Sequence, residues 1–496
     1  VDLPLIVRAQ ASEHNIAIVT DTRSFTYHDL LQVSSQIATM LLGNAEDLAE
    51  QRVAFLIPSG FDYVATQWGI WRAGGVAVPL CIAHPRPELE YVITNSGASI
   101  VIAHPDFAEV MQAIAQAHNL RSILTTDPLP DRISTLPTLD LTRRALILYT
   151  SGTTGKPKGV VTTHHNIQAQ VTSLITAWEW TAQDRILHVL PLHHIHGIIN
   201  VLTCALWIGA QCHMMAKFNA EAVWHQISRG NLTLFMAVPT IYVKLIKAWE
   251  SAPIERQQIL STGCAKIRLM VSGSAALPVT VLEKWEQISG HVLLERYGMT
   301  EIGMALSNPL RGKRSVGYVG KPLPGVAVRL VDEQGALVPP GTPGEIQLQG
   351  QGVFLEYWQN LPATTQAFQN GWFCTGDVGL FEDGNYRLLG RMSVDIIKTG
   401  GYKVSALEIE EVLRTHPDIQ ECAVVGLADE EWGQRVGAVL VLVPQRELSL
   451  AALRSWAKDR LAVYKVPSQI KIVTELPRNA MGKVIKPAAI ELLRVT

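Results

Sequence analysis

At 496 residues the chain exceeds what one hydrophobic core normally holds, so two or more domains with ample burial are expected. A formal net charge of −2 gives no electrostatic case for nucleic acid or an anionic membrane. The most apolar stretch, 198–210, is too short to span a bilayer, is interrupted by Asn200 and Gly209, and reads as a buried helix. Six scattered cysteines without CxxC spacing argue against a zinc site or a disulfide framework and fit a reducing compartment.

The sequence opens at Val1 with no charged-then-apolar leader, so any targeting peptide is expected to be absent or already removed. Residues 26–42 carry a helical pattern with Thr26 as N-cap and Asp29 three residues on, close to a capping box. Strands at 53–57, 75–80 and 99–103 then alternate with helices at 61–72 and 88–96. That rhythm predicts an α/β fold with doubly wound parallel sheets.

A further strand, 145–148, empties into Tyr149-Thr-Ser-Gly-Thr-Thr-Gly-Lys-Pro-Lys-Gly-Val160. Gly152, Gly155 and Gly159 let backbone N–H groups approach an anion, Thr150, Ser151, Thr153 and Thr154 add hydroxyls, and Lys156 and Lys158 add charge, which is a phosphate-holding design. Pro157 after Lys156 excludes a Walker A loop, whose lysine precedes Ser or Thr at the head of a helix.

Strands follow at 185–190, 232–238 and 267–272, so ligand loops are expected at Pro191, Pro239, Ser272 and Tyr297, beyond the carboxyl ends of strands. A strand at 292–294 delivers Glu295-Arg-Tyr-Gly-Met-Thr-Glu301. Either Tyr297 stacks on a base and Glu301 supplies a hard oxygen ligand for Mg²⁺, or Tyr297 fills the core and Glu301 begins a helix.

From Ser315 the pattern changes to short strands and Pro/Gly turns, a β-rich subdomain over about 315–391 that completes a large N-terminal domain, 1–391. Within it Gly371-Trp-Phe-Cys-Thr-Gly-Asp377 and Arg391 read as ribose and phosphate ligands or as turn residues. The remainder, 392–496, has its own strands and helices and reads as a small α+β lid domain. Near its end Pro477-Arg-Asn-Ala-Met-Gly-Lys483 places a lysine on a loop tip.

These stretches, in this order, resemble the signature motifs of the adenylate-forming family, which includes acyl-CoA synthetases. The resemblance implies ATP, Mg²⁺ and coenzyme A as partners, all small molecules, and catalytic roles for Lys483, Thr153 and Glu301. It places ATP on Thr150, Ser151, Gly152, Thr153, Thr154, Gly155 and Lys156, on Ser274, Ala275 and Ala276, on Glu295 through Thr300 (Arg296, Tyr297, Gly298 and Met299 included), and on Asp377, Arg391 and Lys483. Thr153 and Glu301 would hold the metal, and Gly400, Gly401 and Tyr402 would meet coenzyme A after the lid rotates. The hinge maps to Ser393, where relatives often carry Asp or Lys.

Segments that line the acyl pocket in this family read Pro191-Leu-His-His-Ile-His-Gly197, Arg268-Leu-Met-Val-Ser-Gly-Ser-Ala-Ala-Leu-Pro278 and Met299-Thr-Glu-Ile-Gly-Met304, and are similar to malonyl-CoA synthetases of the mitochondrial type. The implied substrate residues are Arg268, His194, His196, Ser272 and Met304. Arg268 either clamps a second carboxylate or begins a strand and points to solvent; His194 and His196 either touch the acyl group or are core histidines. Methylmalonate, a monocarboxylate, or loading of a carrier-protein thiol are the alternatives. The resemblance implies a cytoplasmic location in a bacterium, or the mitochondrial matrix in a eukaryote with the transit peptide removed.

Overall fold

Thr26 and Asp29 close the expected capping box at the head of helix Tyr27–Leu42: Asp29 N–H donates to Thr26 Oγ1 (3.1 Å) and Thr26 N–H to Asp29 Oδ2 (2.7 Å). The computed structural model that shows this describes residues 2–150, 156–400, 402–479 and 482–494. Hydrophobic runs without alternation form two largely parallel sheets, buried on both faces.

In the first sheet Ile16–Val19, Gln211–Met214, Arg185–His188, Leu234–Ala237, Leu269–Ser272 and Leu294–Tyr297 run parallel in that spatial order. Antiparallel Ser24–Thr26 borders one edge, and Leu306–Ser307 and Lys321–Pro322 the other. The second sheet aligns Arg144–Thr150, Val76–Pro79, Arg52–Leu56, Ile100–Ala103 and Arg121–Leu124 in parallel, with antiparallel Lys158–Thr163 and Glu356–Tyr357 beyond.

One apolar core binds these layers. Helix Phe61–Arg72 is buried from Phe61 through Trp71 except at Asp62, and its polar tips find carbonyls: Tyr63 OH donates to Leu192 O (2.6 Å) and Trp71 Nε1 to Ala145 O (2.7 Å). The buried helix expected at 198–210 is a π-helix, His196–Thr203, that continues as α-helix Cys204–Ile208. No helix among the described residues is long and apolar enough to cross a membrane.

Strands Val326–Val331, Gly344–Gly350, Trp372–Glu382 and Asn385–Arg391 form a separate antiparallel sheet. The C-terminal segment builds its own sheet from Ile396–Thr399, Tyr402–Ser405, Ile419–Asp429, Gly433–Leu442 and Gln469–Ile472 around separate apolar clusters.

Candidate active site

The strand expected at 292–294 is Leu294–Tyr297, so Glu295, Arg296 and Tyr297 lie in the sheet rather than in the loop after it. Strand alternation turns Arg296 to the face opposite Glu295 and Tyr297. Gly273, at the end of the neighbouring strand, makes room for it: a Cβ there would stand 2.3 Å from Arg296 Nε. Arg296 is buried; its Nη2 reaches Ser274 Oγ (3.4 Å), and its Nε has no hydrogen-bond partner among the described residues. Burial brings the guanidinium pKa down to about 9.

Ser274, in the left-handed region (φ 67°), also holds its Oγ 3.1 Å from His196 Nδ1, and His196 N–H donates to His194 Nδ1 (3.3 Å). Both imidazoles are held well below their ordinary range, first by burial and then by nearby cations, Lys483 foremost for His194 and Arg296 for His196. They are neutral walls beside a buried cation.

A second group of charges lies alongside. Arg391 grips Asp377 through two bonds, Nε–Oδ1 at 2.8 Å and Nη2–Oδ2 at 3.2 Å, and Tyr297 OH donates to Asp377 Oδ2 (2.6 Å). Of the two readings of Tyr297, stacking on a base or filling the core, the structure places its ring in the apolar cluster with Ile302 and Phe373 while its hydroxyl holds Asp377. Glu301 is buried and accepts from Tyr357 OH (2.8 Å); burial pushes its carboxyl up, with the tyrosine bond partly offsetting. Lys483 enters from the lid. Its ammonium is lowered by burial and then by the fields of Arg296 and Arg391, while those of Asp377 and Glu301 pull the other way.

The lid turn is fastened on both sides. Lys483 N–H donates to Asn479 Oδ1 (3.0 Å), and Gly482 abuts Thr240. On the lid helix Ala406–Leu413, Glu411 accepts the N–H of Val279 (3.3 Å) near Glu295. Burial, with Glu411 adding, pushes Glu295 up to about 8.

Several expected residues stand elsewhere. Arg268 does not line the pocket: it precedes strand Leu269–Ser272, at the opposite end from Ser272, and binds buried Asp184 bidentately (2.8 and 2.7 Å) and the carbonyl of Trp178 (3.0 Å). Its guanidinium is already occupied by a partner that would otherwise be an orphaned buried carboxylate. Gly400 packs on Trp432 and Tyr402 stacks on Tyr464 (4.3 Å), away from the group around Lys483. Ser393 lies exposed in a turn, and two residues on Asp395 accepts Arg391 N–H (3.0 Å) and stands 3.6 Å from Lys486.

Thr150 ends its strand with Oγ1 3.5 Å from Lys158 O, and Lys156 lies over the Tyr91 ring. Ser272, Thr300 and Met304 are buried near the strand ends, while Ala275 and Ala276 are exposed in the following loop. Ser151, Gly152, Thr153, Thr154, Gly155 and Gly401 lie outside the described residues. Sequence reading missed Tyr357 as the Glu301 partner, which no local pattern marks, and the burial of Arg296 against Gly273, which the Ser-Gly-Ser opposite it does mark.

The chain matches the family model described as AMP-binding enzyme over residues 6–358 and that of the AMP-binding enzyme C-terminal domain over 408–483. It is 46% identical to the mitochondrial malonate–CoA ligase ACSF3 of Homo sapiens over 526 residues, spanning 98% of this chain and 91% of the relative. The Bos taurus protein of that name is also 46% identical, over 97% and 89%. Among solved structures it is similar to ATP-bound MatB from Rhodopseudomonas palustris (TM-score 0.91, 32% identity, 99% of each chain). A second is o-succinylbenzoate coenzyme A synthetase from Bacillus subtilis with ATP and magnesium (TM-score 0.86, 28% identity, 98% of each chain). A cleft that joins an Asp–Arg pair, a buried glutamate and a lid lysine, on a chain matched from end to end in this way, belongs to the AMP-binding, adenylate-forming enzyme family.

Proposed function

We propose that the chain is an ATP-dependent malonate:CoA ligase, made of an N-terminal domain, 1–391, and a lid, 392–496. The observation that carries the substrate is Arg296: a buried guanidinium with an unpaired Nε, walled by neutral His194 and His196 and by Ser274. A monocarboxylate would leave that cation uncompensated. Malonate brings a second carboxylate that answers it, and leaving one partner of such a pair alone costs about 3–5 kcal/mol. Arg296 therefore passes from the nucleotide role first given to it to the acyl pocket.

The near carboxylate and ATP repel one another. Lys483, Arg391 and the hydroxyl- and glycine-rich loop after Thr150 offset that charge, so that a carboxylate oxygen attacks the α-phosphorus and pyrophosphate leaves. Asp377, with two acceptor oxygens, takes the ribose hydroxyls. Glu301 suits a hard cation, being a buried carboxylate paired with nothing stronger than a phenol; with Thr153 it would hold Mg²⁺, which neutralises phosphate charge when bound. The malonyl-AMP carbonyl is then attacked by the coenzyme A thiol, a C–S bond replaces the C–O bond to phosphate, and AMP departs. For that step the lid turns Gly400, Gly401 and Tyr402 toward the cleft.

AMP release measured with malonate, methylmalonate, octanoate and benzoate tests the reading. Malonate should be preferred, and Arg296→Met should lower kcat/KM for malonate by about 10²–10³ with the KM for ATP unchanged. Undiminished malonate turnover in that variant, or a preference for octanoate or benzoate, would overturn it.

A further inference from the structure

Behind the Arg296 pocket lies a polar region that the chemistry above does not use. The π-helix His196–Thr203 is buried throughout, yet it carries Asn200, fully inaccessible, with neither Oδ1 nor Nδ2 partnered among the described residues. A buried polar group left in that condition is costly, so a partner is expected. Widened turns of this kind concentrate at functional sites.

Two more unpartnered atoms surround the same turn, His196 Nε2 and His188 Nδ1, both buried. His188 Nε2 lies 3.0 Å from Gly197 O, in the first π-turn, and its ring is near enough to His196 to bias the latter's protonation. Four residues almost complete one turn of a helix with i→i+5 bonding, so Asn200 falls on the same face as His196, one turn deeper.

Donors and acceptors around the turn can be matched to one another. Gly197 O accepts, so His188 carries its proton on Nε2 and offers a bare Nδ1. Arg296 Nη2 donates to Ser274 Oγ; with the Ser274 O–H turned to His196 Nδ1 the His196 proton sits on Nε2, and this is the tautomer that an acceptor on the Nε2 side selects. A donor, an acceptor, and an amide that is both remain around Gly197. Three or four polar partners in a buried site is the usual complement of an internal water.

We propose that Asn200 and His188 hold a buried water that receives the Nε2 proton of His196. Asn200 is thereby a positioning residue for the acyl pocket: it fixes His196 in one neutral tautomer and leaves Arg296 as the cation that meets the substrate. The groups facing His196 are Arg296, His194, His188 and Lys483, so protonating His196 would add a further cation to a crowded positive region. This rests on the reading of Arg296 given above.

The test uses the full chain with Asn200→Leu, similar in size but unable to bond, and Asn200→Asp, which sets a carboxylate behind the imidazole. A crystal structure of the parent should contain a water within hydrogen-bond distance of Asn200, His188 and His196, absent from Asn200→Leu. Asn200→Leu should raise the KM for malonate about fivefold or more with the KM for ATP unchanged. Asn200→Asp should add a titration to malonate kcat/KM between about pH 5 and 8 that the parent lacks. A dry region in the parent overturns the proposal, as do parental malonate KM and pH profile in both variants. The hydration result involves no substrate, so it stands even if another acid proves preferred; the kinetic arms are then run with that acid.

Discussion

Gly482 meets Thr240 so closely that a Cβ on the glycine would stand 2.9 Å from Thr240 Oγ1, and its φ of 78° is one that side chains other than glycine's resist. This single approach seats the lid turn that carries Lys483. Gly482→Ala should slow malonyl-AMP formation about 5–30-fold, the equivalent of the 1–2 kcal/mol a left-handed alanine costs. Thiolysis of supplied malonyl-AMP should continue near the parental rate. Adding Thr240→Ala should recover part of the loss, since it relieves the clash and not the backbone strain; equal loss in both half-reactions would refute this account.

Lys483 is the cation the lid brings to Arg391, Asp377 and Glu301. Lys483→Ala is expected to abolish adenylate formation, followed by pyrophosphate release, while thiolysis of malonyl-AMP is largely kept. First-step activity retained at more than about a tenth of the parental rate would remove the lysine from the chemistry.

Arg268 yields the opposite expectation. With its guanidinium committed to buried Asp184, Arg268→Met should leave malonate selectivity intact and lower stability by about 3 kcal/mol or more, read from denaturant midpoints. The double variant Arg268→Met/Asp184→Asn should regain part of that loss. A selective rise in malonate KM with unchanged stability would return Arg268 to the pocket.

Glu295 links stability to pH. Its carboxyl is raised from 4.5 to about 8, so the folded protein keeps a proton that the unfolded chain has released. The stability this represents is complete below about pH 4.5, declines as pH rises, and is gone above about pH 8. Glu295→Gln fixes the uncharged form. Its melting temperature should vary less than the parent's between pH 5 and 8 and should exceed the parent's at pH 8.5; parallel curves would show that Glu295 is not the titrating group.

Much of this architecture is legible in the residues because local signals agree with it. Thr26 with Asp29 announces its helix, and Phe61–Arg72 falls where its pattern starts and stops. The four chemical stretches could be named because each concentrates glycine, hydroxyl or charge in a few positions. Arg268 and Arg296 show where such reading ends: both adjoin or occupy a buried strand, and only the three-dimensional position of Asp184 and Gly273 decides which one is left without an anion. The π-helix is illegible too, since widened i→i+5 bonding leaves no mark on an apolar run. Near Ser393, the contacts of Asp395 with Arg391 N–H and Lys486 are likewise invisible in the sequence, since Lys486 lies far along the chain.

While Lys483 occupies the cleft, Lys403, on the strand Tyr402–Ser405, is tied to Glu333 at 2.6 Å on the neighbouring β-sheet subdomain. One posture of the lid thus sets Lys483 among the charges of the cleft and Lys403 as a mooring outside it. Both side chains of that pair are exposed, so it contributes little and leans the lid toward this posture without locking it. Salt, which screens so exposed a pair, would free the lid to leave this posture before it disturbed the buried charges of the cleft.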